Sequence, residues 1–273
     1  MSVLFSLGAS LLWGTADFLG GRASRRLPLL TVMLFSQVAG LLGLLLVLAF
    51  RQHVDFGAGG WGMAAGITSL GSLACFYRAL AVGTMSIVAP IVATSAAVPV
   101  IAGFAMGERP YPAAVGGIVL ALIGVVLASR QPTRAPVTDH HRSIVLALVA
   151  AFLLGLQLVF LQQAGHVDAF TGVAASRLTS VACFSLIALF ARPPVAVRQL
   201  PGVALIGVLD TAANLAFTVA TLNGSLPVVA VLSSLFPMVT VALAYLRLHE
   251  RLTRAQLVGI AVAVTGVLLI VSA

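Results

Sequence analysis

Ten mainly apolar stretches follow one another along this chain, separated by short connections. Each stretch has about 20 residues, and because an α-helix rises 1.5 Å per residue, each is long enough to cross the roughly 30 Å hydrocarbon core of a bilayer. The stretches, numbered here as spans 1 to 10, are residues 3–21, 28–50, 60–79, 85–106, 112–128, 143–163, 170–191, 202–222, 225–246 and 255–271. The pattern predicts an all-α integral membrane protein with ten transmembrane helices.

Little of the chain could form a water-exposed globular surface. Hydrophobic residues make up 60% of the sequence and charged residues 8%, with a mean hydropathy of +1.13, a composition typical of membrane proteins. The longest connection, residues 129–142, leaves no room for a soluble domain. Span 1 carries Trp13, Gly14 and Asp17 and lacks a basic start, so we interpret it as a permanent helix and not as a signal peptide.

The sequence disfavours several other classes of protein. Cys75 and Cys183 both lie inside spans, where they support neither a disulfide nor a metal site. No Gly-rich phosphate loop ending in Gly-Lys-Ser/Thr occurs, so nucleotide-driven pumping has no support. No nucleophile, base and orienting group lie within one helical turn of each other. We therefore expect no enzyme, no cofactor and no bound metal.

The two halves of the chain repeat one another. At an offset of 141 in residue number, five positions of the first half recur in the second, and a further set recurs at an offset of 142. The first set pairs Phe76, Ala79, Gly83, Val88 and Ala89 with Phe217, Ala220, Gly224, Val229 and Ala230; the second pairs Glu108, Arg109, Ala113, Gly117, Ile118, Gly124 and Val125 with Glu250, Arg251, Ala255, Gly259, Ile260, Gly266 and Val267. This predicts a repeat at 1–129, a linker at 130–142 and a second repeat at 143–273. Duplicated hydrophobic halves with a site between them are typical of secondary transporters.

The arginines indicate how the spans are oriented. All the basic residues that count towards the net charge of +8 are arginines. They form no single patch, so we expect no nucleic-acid partner. One face of the ten-span arrangement carries twelve of them, whereas the other carries only Arg51 and Arg109. The positive-inside rule makes the first face cytoplasmic and puts both termini outside. Because each half has five spans, an odd number, the two repeats must be inverted relative to one another.

Three charged residues fall at membrane depth, where an unpaired charge costs about 2.5 to 3.5 kcal/mol on the most lenient scale. They are Asp17, Arg177 and Asp210. Arg177 and Asp210 differ in predicted height by about 6 Å, which is within the reach of an arginine. Two interpretations remain open for this pair: contact with a ligand or a gating role, and a structural ion pair that joins spans 7 and 8.

Uncharged polar residues extend this candidate site. Asn214, Thr218 and Thr221 follow Asp210 along one helix face. Trp13, Gln37, Gln157, Ser95 and Ser234 complete the predicted substrate-binding set with Arg177, Asp210 and Asn214. The competing interpretation is that hydroxyl groups bond to backbone carbonyls one turn back and that Trp13 only packs between helices.

Asp17 is the candidate for proton coupling. A buried carboxyl without a cationic partner takes up a proton more readily than one held by arginine. The alternative is an anchor near the cytoplasmic edge that pairs with Arg22 or Arg25.

Other repeated or clustered residues favour structural roles. Glu108 and Glu250 each precede a helix start, where a carboxylate stabilises the helix dipole and can hold the neighbouring arginine. Asp139, His140 and His141 lie in the linker without further ligands, so we expect a solvated segment there. Small residues on spans 5 and 10 predict close packing within or between protomers, which includes a homodimer through these two spans. Prolines in spans 4 and 9 predict kinks or hinges: Pro90, Pro99, Pro227 and Pro237.

A family resemblance covers essentially the whole chain and appears in both halves. Gly107-Glu108-Arg109 and His249-Glu250-Arg251, each followed by an Ala and a Gly-Ile helix, together with Trp13-Gly14 and the span with Pro237, resemble the EamA family of the drug/metabolite transporter superfamily. The resemblance implies a cavity lined by spans 1–4 and 6–9, with spans 5 and 10 outside as braces or a dimer contact. The halves depart from one another: Ser36 and Gln37 occupy the positions that match Arg177, and Ala96 corresponds to Pro237.

These observations predict a secondary transporter in a bacterial-type inner membrane. We expect it to move a small organic metabolite, with an amino acid or related carboxylate favoured, by alternating access and with proton coupling. The resemblance favours export. If Asp17 and Asp210 line the cavity and Arg177 points elsewhere, a multidrug or lipophilic-cation exporter becomes the better hypothesis. An uncoupled facilitator is a further alternative.

Overall fold

A computed structural model describes residues 1–24, 26–51, 54–82, 85–129, 139–191, 200–248 and 253–272. Within these ranges the chain is helical and contains no strand. The helices are α1 (Ser2–Ser24), α2 (Leu29–Ala49), α3 (Gly59–Val82), α4 (Met85–Val92), α5 (Ala97–Ala105), α6 (Pro112–Ala128), α7 (His140–Ala191), α8 (Leu200–Leu222), α9 (Leu226–Ser233), α10 (Phe236–Leu248) and α11 (Arg254–Ser272). Short 3₁₀ helices lie at Phe56–Ala58 and Ala93–Ala96. The predicted apolar spans match these helices to within a few residues.

The helices are those of a multi-pass membrane protein. By length and composition, the described part of the chain has eight candidate membrane spans, and α6 adds a shorter apolar helix. The longest, α7, is not one continuous helix, because Asp168 has extended backbone angles (φ −156°, ψ 111°) between its two arms, residues 140–167 and 169–191. The prediction of separate spans at 143–163 and 170–191 agrees with this break.

Prolines interrupt the chain at two places, but not all act as expected. α4 and α5 are separated by the 3₁₀ turn, between Pro90 and Pro99. α9 and α10 are separated at residues 234–235, just before Pro237. The prediction that Pro227 lies within a helix and kinks it is wrong: it stands in the first turn of α9, where its missing N–H is not needed.

Helix packing between the two halves of the chain is reciprocal. α1 packs against α8. The repeat equivalent of α1 is the first arm of α7, and the repeat equivalent of α8 is α3. α7 and α3 also pack against each other. A Cβ added at Gly14 would collide with the Phe236 carbonyl oxygen, and one added at Gly155 would collide with the Ser95 carbonyl oxygen. Gly14 and Gly155 are equivalent at the repeat offset of 141, and so are Ser95 and Phe236.

The same reciprocity holds for a second set of contacts. Gly66 lies against the Ser176 carbonyl oxygen, and Gly207 lies against the Ser36 carbonyl oxygen. Gly66 and Gly207 are related by the offset of 141, and Ser36 and Ser176 by an offset of 140. In each case a residue without a side chain allows two helix backbones to touch, as small residues do in membrane helix interfaces.

Small residues also join α6 to α11 within the chain. Gly117 faces Gly266, and Gly124 faces Ala263, so the predicted close packing occurs inside one protomer. This contact occupies the faces of α6 and α11 that carry these glycines.

Apolar packing differs between the two ends of the helices. The arginine-rich end is defined here by the exposed Arg22, Arg26, Arg78 and Arg142, and the opposite end by the other helix termini. Towards the opposite end, one apolar cluster joins six helices; its buried members include Leu44, Leu161, Val173, Phe217 and Leu226.

Towards the arginine-rich end the buried residues of α1–α4, α7 and α8 divide into two separate clusters, while Val125 and Ala263 join α6 to α11 in a further one. One joins α1, α2 and α8 through Ala16, Val32 and Val203. The other joins α3, α4 and α7 through Ala79, Val88 and Ala147. The helices therefore converge at the opposite end and form two groups at the arginine-rich end.

Glu108 caps a different helix from the one expected. Its Oε2 accepts a hydrogen bond of 2.7 Å from the backbone N–H of Leu226, at the start of α9 in the other half. The expectation that it serves the helix that follows it, α6, is therefore wrong. The carboxylate reaches α9 because Gly107, with φ of +89°, turns the chain sharply after α5. Glu250 and Arg251 lie outside the described residues.

Candidate functional site

The predicted pair of opposite charges forms in the structure. Arg177, on the second arm of α7, places Nη1 2.6 Å from Oδ2 of Asp210 on α8. The Arg177 side chain is 8% exposed and that of Asp210 is 30% exposed. Asp210 is thus the member of the pair that reaches open space.

Arg177 also binds the residue that matches it in the other half. Its Nη1 donates a hydrogen bond of 2.6 Å to Oε1 of Gln37 on α2. Gln37 and Arg177 are related by an offset of 140, the same offset that relates Ser36 to Ser176. Two equivalent positions of the repeat therefore touch at the centre of the molecule, one polar and neutral, the other cationic.

Asp17 lies close to this pair but is not part of it. Its side chain is exposed, and its charge interacts with that of Asp210 on α8 and with Tyr77 on α3. In the described part of the chain the ion pairs are Arg177–Asp210 and Arg51–Asp168, so Asp17 is not anchored by Arg22 there. Arg25, the other proposed anchor, lies outside the described residues.

Trp13 lies one helical turn from Asp17, towards the opposite end. Its ring contacts Phe217 at 5.9 Å and Phe236 at 6.1 Å between ring centroids. Phe217 belongs to the apolar cluster of the opposite end, and Trp13 packs against that cluster. Trp13 therefore separates the charged residues from that cluster.

Most of the smaller polar side chains bond locally. Asn214 donates its Nδ2 to the Asp210 carbonyl oxygen at 2.7 Å, and Ser234 donates to that of Val231 at 2.8 Å. Thr218 donates to Asn214 in the same manner. These contacts agree with the interpretation that such groups satisfy carbonyls one turn back, and they leave the amide oxygen of Asn214 available.

Several buried polar atoms have no partner within the described residues. They are Oε1 of Gln157, Oε1 of Gln162, Nε of Arg177 and Oγ1 of Thr211. Ser95 is buried at the 3₁₀ turn between α4 and α5. An unpartnered buried donor or acceptor is costly, so the Arg177 Nε–H and the Gln157 oxygen are groups that a bound polar molecule would satisfy.

Three features of the structure were not predicted from the sequence. Tyr77 was not singled out, because one aromatic residue in an apolar helix gives no signal. Gln162 follows the buried Leu161 and offers no pattern of its own. The Arg51–Asp168 pair was missed because the two residues lie in connections between spans, where charges are expected.

The site thus combines two carboxylates and one guanidinium, contributed by α1, α7 and α8. Asp17 and Asp210 outnumber Arg177, so the local charge is negative when all three are ionised. The described residues contain no group of His, Cys, Asp or Glu side chains that could hold a metal ion. This arrangement can bind polar organic molecules by charge and hydrogen bonding.

Comparison with protein families decides where the chain belongs. A profile of the EamA-like transporter family matches residues 1–130 and 141–272. The chain belongs to the EamA-like transporter family. Proteins of this family are membrane transporters of the drug/metabolite transporter superfamily and not enzymes. The family resemblance inferred from the repeated Glu-Arg segments is confirmed.

Comparison with solved structures also covers nearly the whole chain. Twenty-six chains of solved structures match. One, a crystal structure of a protein, is 20% identical with a TM-score of 0.76, over 98% of this chain and 95% of that chain. At this identity the match shows a shared fold alone. No curated protein matches the sequence.

Proposed function

We propose that this EamA-like protein is a secondary transporter that moves a small organic metabolite by alternating access. The observation that carries the proposal is the convergence of Asp17, Arg177 and Asp210 from both halves at mid-membrane. An ionisable residue at this depth is by default a functional one. The three lie where the helices separate into two groups.

The architecture we propose is ten spans in two inverted repeats, residues 1–129 and 143–273. In this scheme α4 with α5, and α9 with α10, each form one broken span, and α7 supplies two. The reciprocal glycine contacts support it, because the same patch of each half meets the same patch of the other, as in a two-fold interface. Equivalent residues of the two repeats meet where a two-fold axis passes, so the contact of Gln37 with Arg177 is expected there.

Alternating access is supported by the difference between the two ends of the helices. Rocking of two helix groups about a central site exposes that site to each side in turn. The groups are α1, α2 and α8 on one side and α3, α4 and α7 on the other. They are separate at the arginine-rich end, which the positive-inside rule makes cytoplasmic, and joined at the opposite end.

The substrate class we favour is an amino acid or a related carboxylate. Arg177, oriented by Asp210 and Gln37, would bind a carboxylate through its unpartnered Nε–H, since guanidinium groups bind carboxylates well. An ammonium group would bind at the exposed Asp17, with Asp210 close by. Trp13, Gln157, Ser95, Asn214 and Ser234 would complete the pocket. Asp17 would also exchange the coupling proton; its exposure removes the burial on which that expectation rested, and its lack of an ion pair among the described residues supports the role.

A second candidate is the export of lipophilic cations. The exposure of the charges favours it: Asp17 is exposed, Asp210 is partly exposed and Arg177 is nearly buried. A cationic ligand would then meet two carboxylates, while Arg177 would serve only to hold Asp210.

We propose an inner-membrane protein with both termini outside and the metabolite leaving the cytoplasm. A homodimer could form through the lipid-facing sides of α6 and α11, where Val119, Ile123, Leu257 and Leu268 are exposed.

A ligand screen tests the proposed substrate class. The purified protein in detergent is heated with amino acids, dicarboxylates, phosphorylated sugars or lipophilic cations, because a ligand of the folded state raises the melting temperature. The variant is Arg177→Ala, and the matched control is Arg254→Ala, an exposed arginine at the arginine-rich end. An amino-acid or carboxylate response lost only in Arg177→Ala supports the first candidate. Cation responses that survive in Arg177→Ala support the second.

Transport into vesicles tests the mechanism. The protein is reconstituted and the ligand found in the screen is supplied with and without an imposed proton gradient. Concentration of ligand against its gradient supports a coupled transporter. Equilibration without accumulation identifies an uncoupled facilitator.

A further inference from the structure

A second ion pair, with a buried carboxylate, lies at the opposite end of the helices, away from the central site. Arg51, just after α2, places Nη1 2.8 Å from Oδ1 and 3.1 Å from Oδ2 of Asp168, at the break in α7. The Asp168 side chain is 5% exposed and that of Arg51 is 31% exposed. The Arg51 guanidinium also lies over the Phe170 ring, 4.4 Å from its centroid.

Asp168 is held by its own surroundings without Arg51. Its carboxylate accepts hydrogen bonds from the Phe170 N–H at 3.0 Å and the Thr171 hydroxyl at 2.9 Å. It also accepts a 3.3 Å bond from the N–H of Asp55, which precedes α3. These donors all belong to α7 or to the segment that leads into α3. Arg51, by contrast, donates from the end of α2.

The pair therefore joins the two helix groups. α2 packs with α1 and α8 in the first group, and Asp168 lies between the arms of α7 in the second. The contact lies at the end where the apolar cluster joins both groups. If the groups rock apart at this end, the Arg51 guanidinium must leave the Asp168 carboxylate.

We propose that Arg51 and Asp168 form a latch that holds the protein closed at the opposite end and that must break for this end to open. The proposal rests on the alternating access proposed above and goes beyond it by assigning a residue pair to one closed state. Among the described residues the arginine-rich end has no equivalent of this pair, because at the repeat offset of 141 Asp168 corresponds to Leu27, which has no carboxylate.

The chain offers a clean set of variants. Arg51→Met keeps an unbranched side chain over the Phe170 ring but removes the charge, and Arg51→Lys keeps the charge. Arg109→Met is the matched control, because Arg109 is an exposed arginine at the same end. Asp168→Asn provides a second route, since it removes the charge and keeps an oxygen that can accept from Phe170 and Thr171.

Distances between spin labels report the latch without any substrate, so failure of the proposal is distinguishable from failure of the proposed transport function. Cys75 and Cys183 are first replaced by Ala. At the opposite end one label is placed at Phe56→Cys and the other at Asn223→Cys. At the arginine-rich end the labels are placed at Gly21→Cys and Ala81→Cys. All four positions are exposed.

We expect Arg51→Met to raise the population with the longer distance at the opposite end about tenfold or more. The loss of one charge-assisted contact is worth at least this factor in an equilibrium. The distance at the arginine-rich end should become shorter in the same protein, because the two groups rock as bodies. Arg51→Lys should raise the same population by less than Arg51→Met does, because it keeps the charge but loses the guanidinium plane that lies over Phe170. Arg109→Met should leave the population unchanged.

Two results would overturn the latch. One is an Arg51→Met protein with distance distributions like those of Arg109→Met at both ends. The other is a broader distribution at the opposite end without a shorter distance at the arginine-rich end, which would assign the pair to local stability alone. If Arg51→Met elutes as aggregate, the same two readouts are taken on Asp168→Asn, with the same expected and contrary results.

Discussion

The two halves of this protein use equivalent contacts but carry different charges. Gly14 and Gly155 meet carbonyl oxygens at equivalent positions, and so do Gly66 and Gly207. Yet Arg177 faces Gln37, its own equivalent. Asp17 corresponds to Leu158 and Asp210 to Ser69 at the offset of 141. The two halves therefore share these two glycine contacts and differ in their charged residues.

The difference shows which parts of the repeat are constrained. A contact between two helix backbones admits only the smallest residues, and at Gly14/Gly155 and Gly66/Gly207 both copies have glycine. At Gly62, which touches the Gly172 carbonyl oxygen, the equivalent position is Val203. A polar position in the centre has no such steric requirement. Equivalent positions can then carry different polar groups, as Gln37 and Arg177 do.

The largest effect on stability is expected for Gly207→Val, which tests the packing contacts that the two halves share. Its Cβ would collide with the Ser36 carbonyl oxygen, and backbone cannot rotate away as a side chain can. We expect the free energy of unfolding to fall by about 3 kcal/mol or more, which is at or above the upper end of ordinary overpacking. The measurement is the melting temperature of the purified protein, with Gly202→Val as control, because a Cβ at Gly202 meets nothing within 4 Å.

The equivalent change in the other half sharpens the same comparison. Gly66→Val should also destabilise, since its Cβ would meet the Ser176 carbonyl oxygen and the Thr179 side chain. Equal melting temperatures for Gly207→Val and Gly202→Val would contradict the close backbone contact.

The next largest effect on stability is expected for Arg177→Gln, which tests the charged residues in which the two halves differ. It makes the central contact Gln to Gln and removes the cationic partner of Asp210. We expect a loss of about 2 kcal/mol, because hydrogen bonds to charged groups contribute about 1.5–3 kcal/mol and Asp210 is partly exposed. Chemical or thermal unfolding in detergent measures it.

The change on the other side of this contact should cost less. Gln37→Leu removes one acceptor from Arg177 but leaves Asp210 in place, so we expect a loss of about 1 kcal/mol. A larger loss in Gln37→Leu than in Arg177→Gln would mean that Gln37, and not Asp210, is the main partner of Arg177.

The fold could be predicted from sequence because the membrane imposes a simple pattern. Spans such as 112–128 must be long and apolar, and their lengths fix their ends to within a few residues. The two broken spans also carry prolines, but the sequence did not distinguish Pro227, which starts a helix, from Pro237, which follows a break. That distinction depends on where the preceding turn ends, which is not visible in the apolar pattern.

The charged part of the site could be predicted in part. The cost of a charge in the membrane identified Arg177 and Asp210, and the helix rise brought them to similar heights. The contact of Glu108 with α9 could not be predicted, because it joins residues 118 positions apart. The same holds for Asp168, whose partner Arg51 is 117 positions away. Long-range contacts of this kind follow from packing and leave no local signal.

Glu108→Ala should show a smaller effect and sharpen the comparison of the two repeats. The carboxylate satisfies the N–H of Leu226 at the start of α9, and the loss of such a cap costs about 1 kcal/mol. Glu108→Gln keeps an acceptor but loses the interaction with the helix dipole, so about half that cost is expected. Unfolding midpoints of the two variants measure the difference. Equal midpoints for Glu108→Ala and the unmodified protein would show that the cap contributes nothing.

Asp17→Asn should have the smallest effect on stability, although Asp17 is as unusual in the sequence as Arg177. The Asp17 side chain is exposed, lacks an ion pair among the described residues and lies close to the like charge of Asp210. We therefore expect the free energy of unfolding to change by less than about 0.5 kcal/mol, with a gain as the favoured sign because the repulsion from Asp210 is removed. A marked loss of stability would reveal a structural partner.

Vesicle transport separates the role of Asp17 from that of the Arg177 pair. If Asp17 exchanges the coupling proton, Asp17→Asn should still exchange ligand across the membrane but should no longer concentrate it when a proton gradient is imposed. Arg177→Gln should instead lose ligand exchange altogether. Accumulation by Asp17→Asn equal to that of the unmodified protein would remove the coupling role from Asp17. The asymmetry between the halves would then serve ligand binding alone, since Arg177 and Asp210 both belong to the second half.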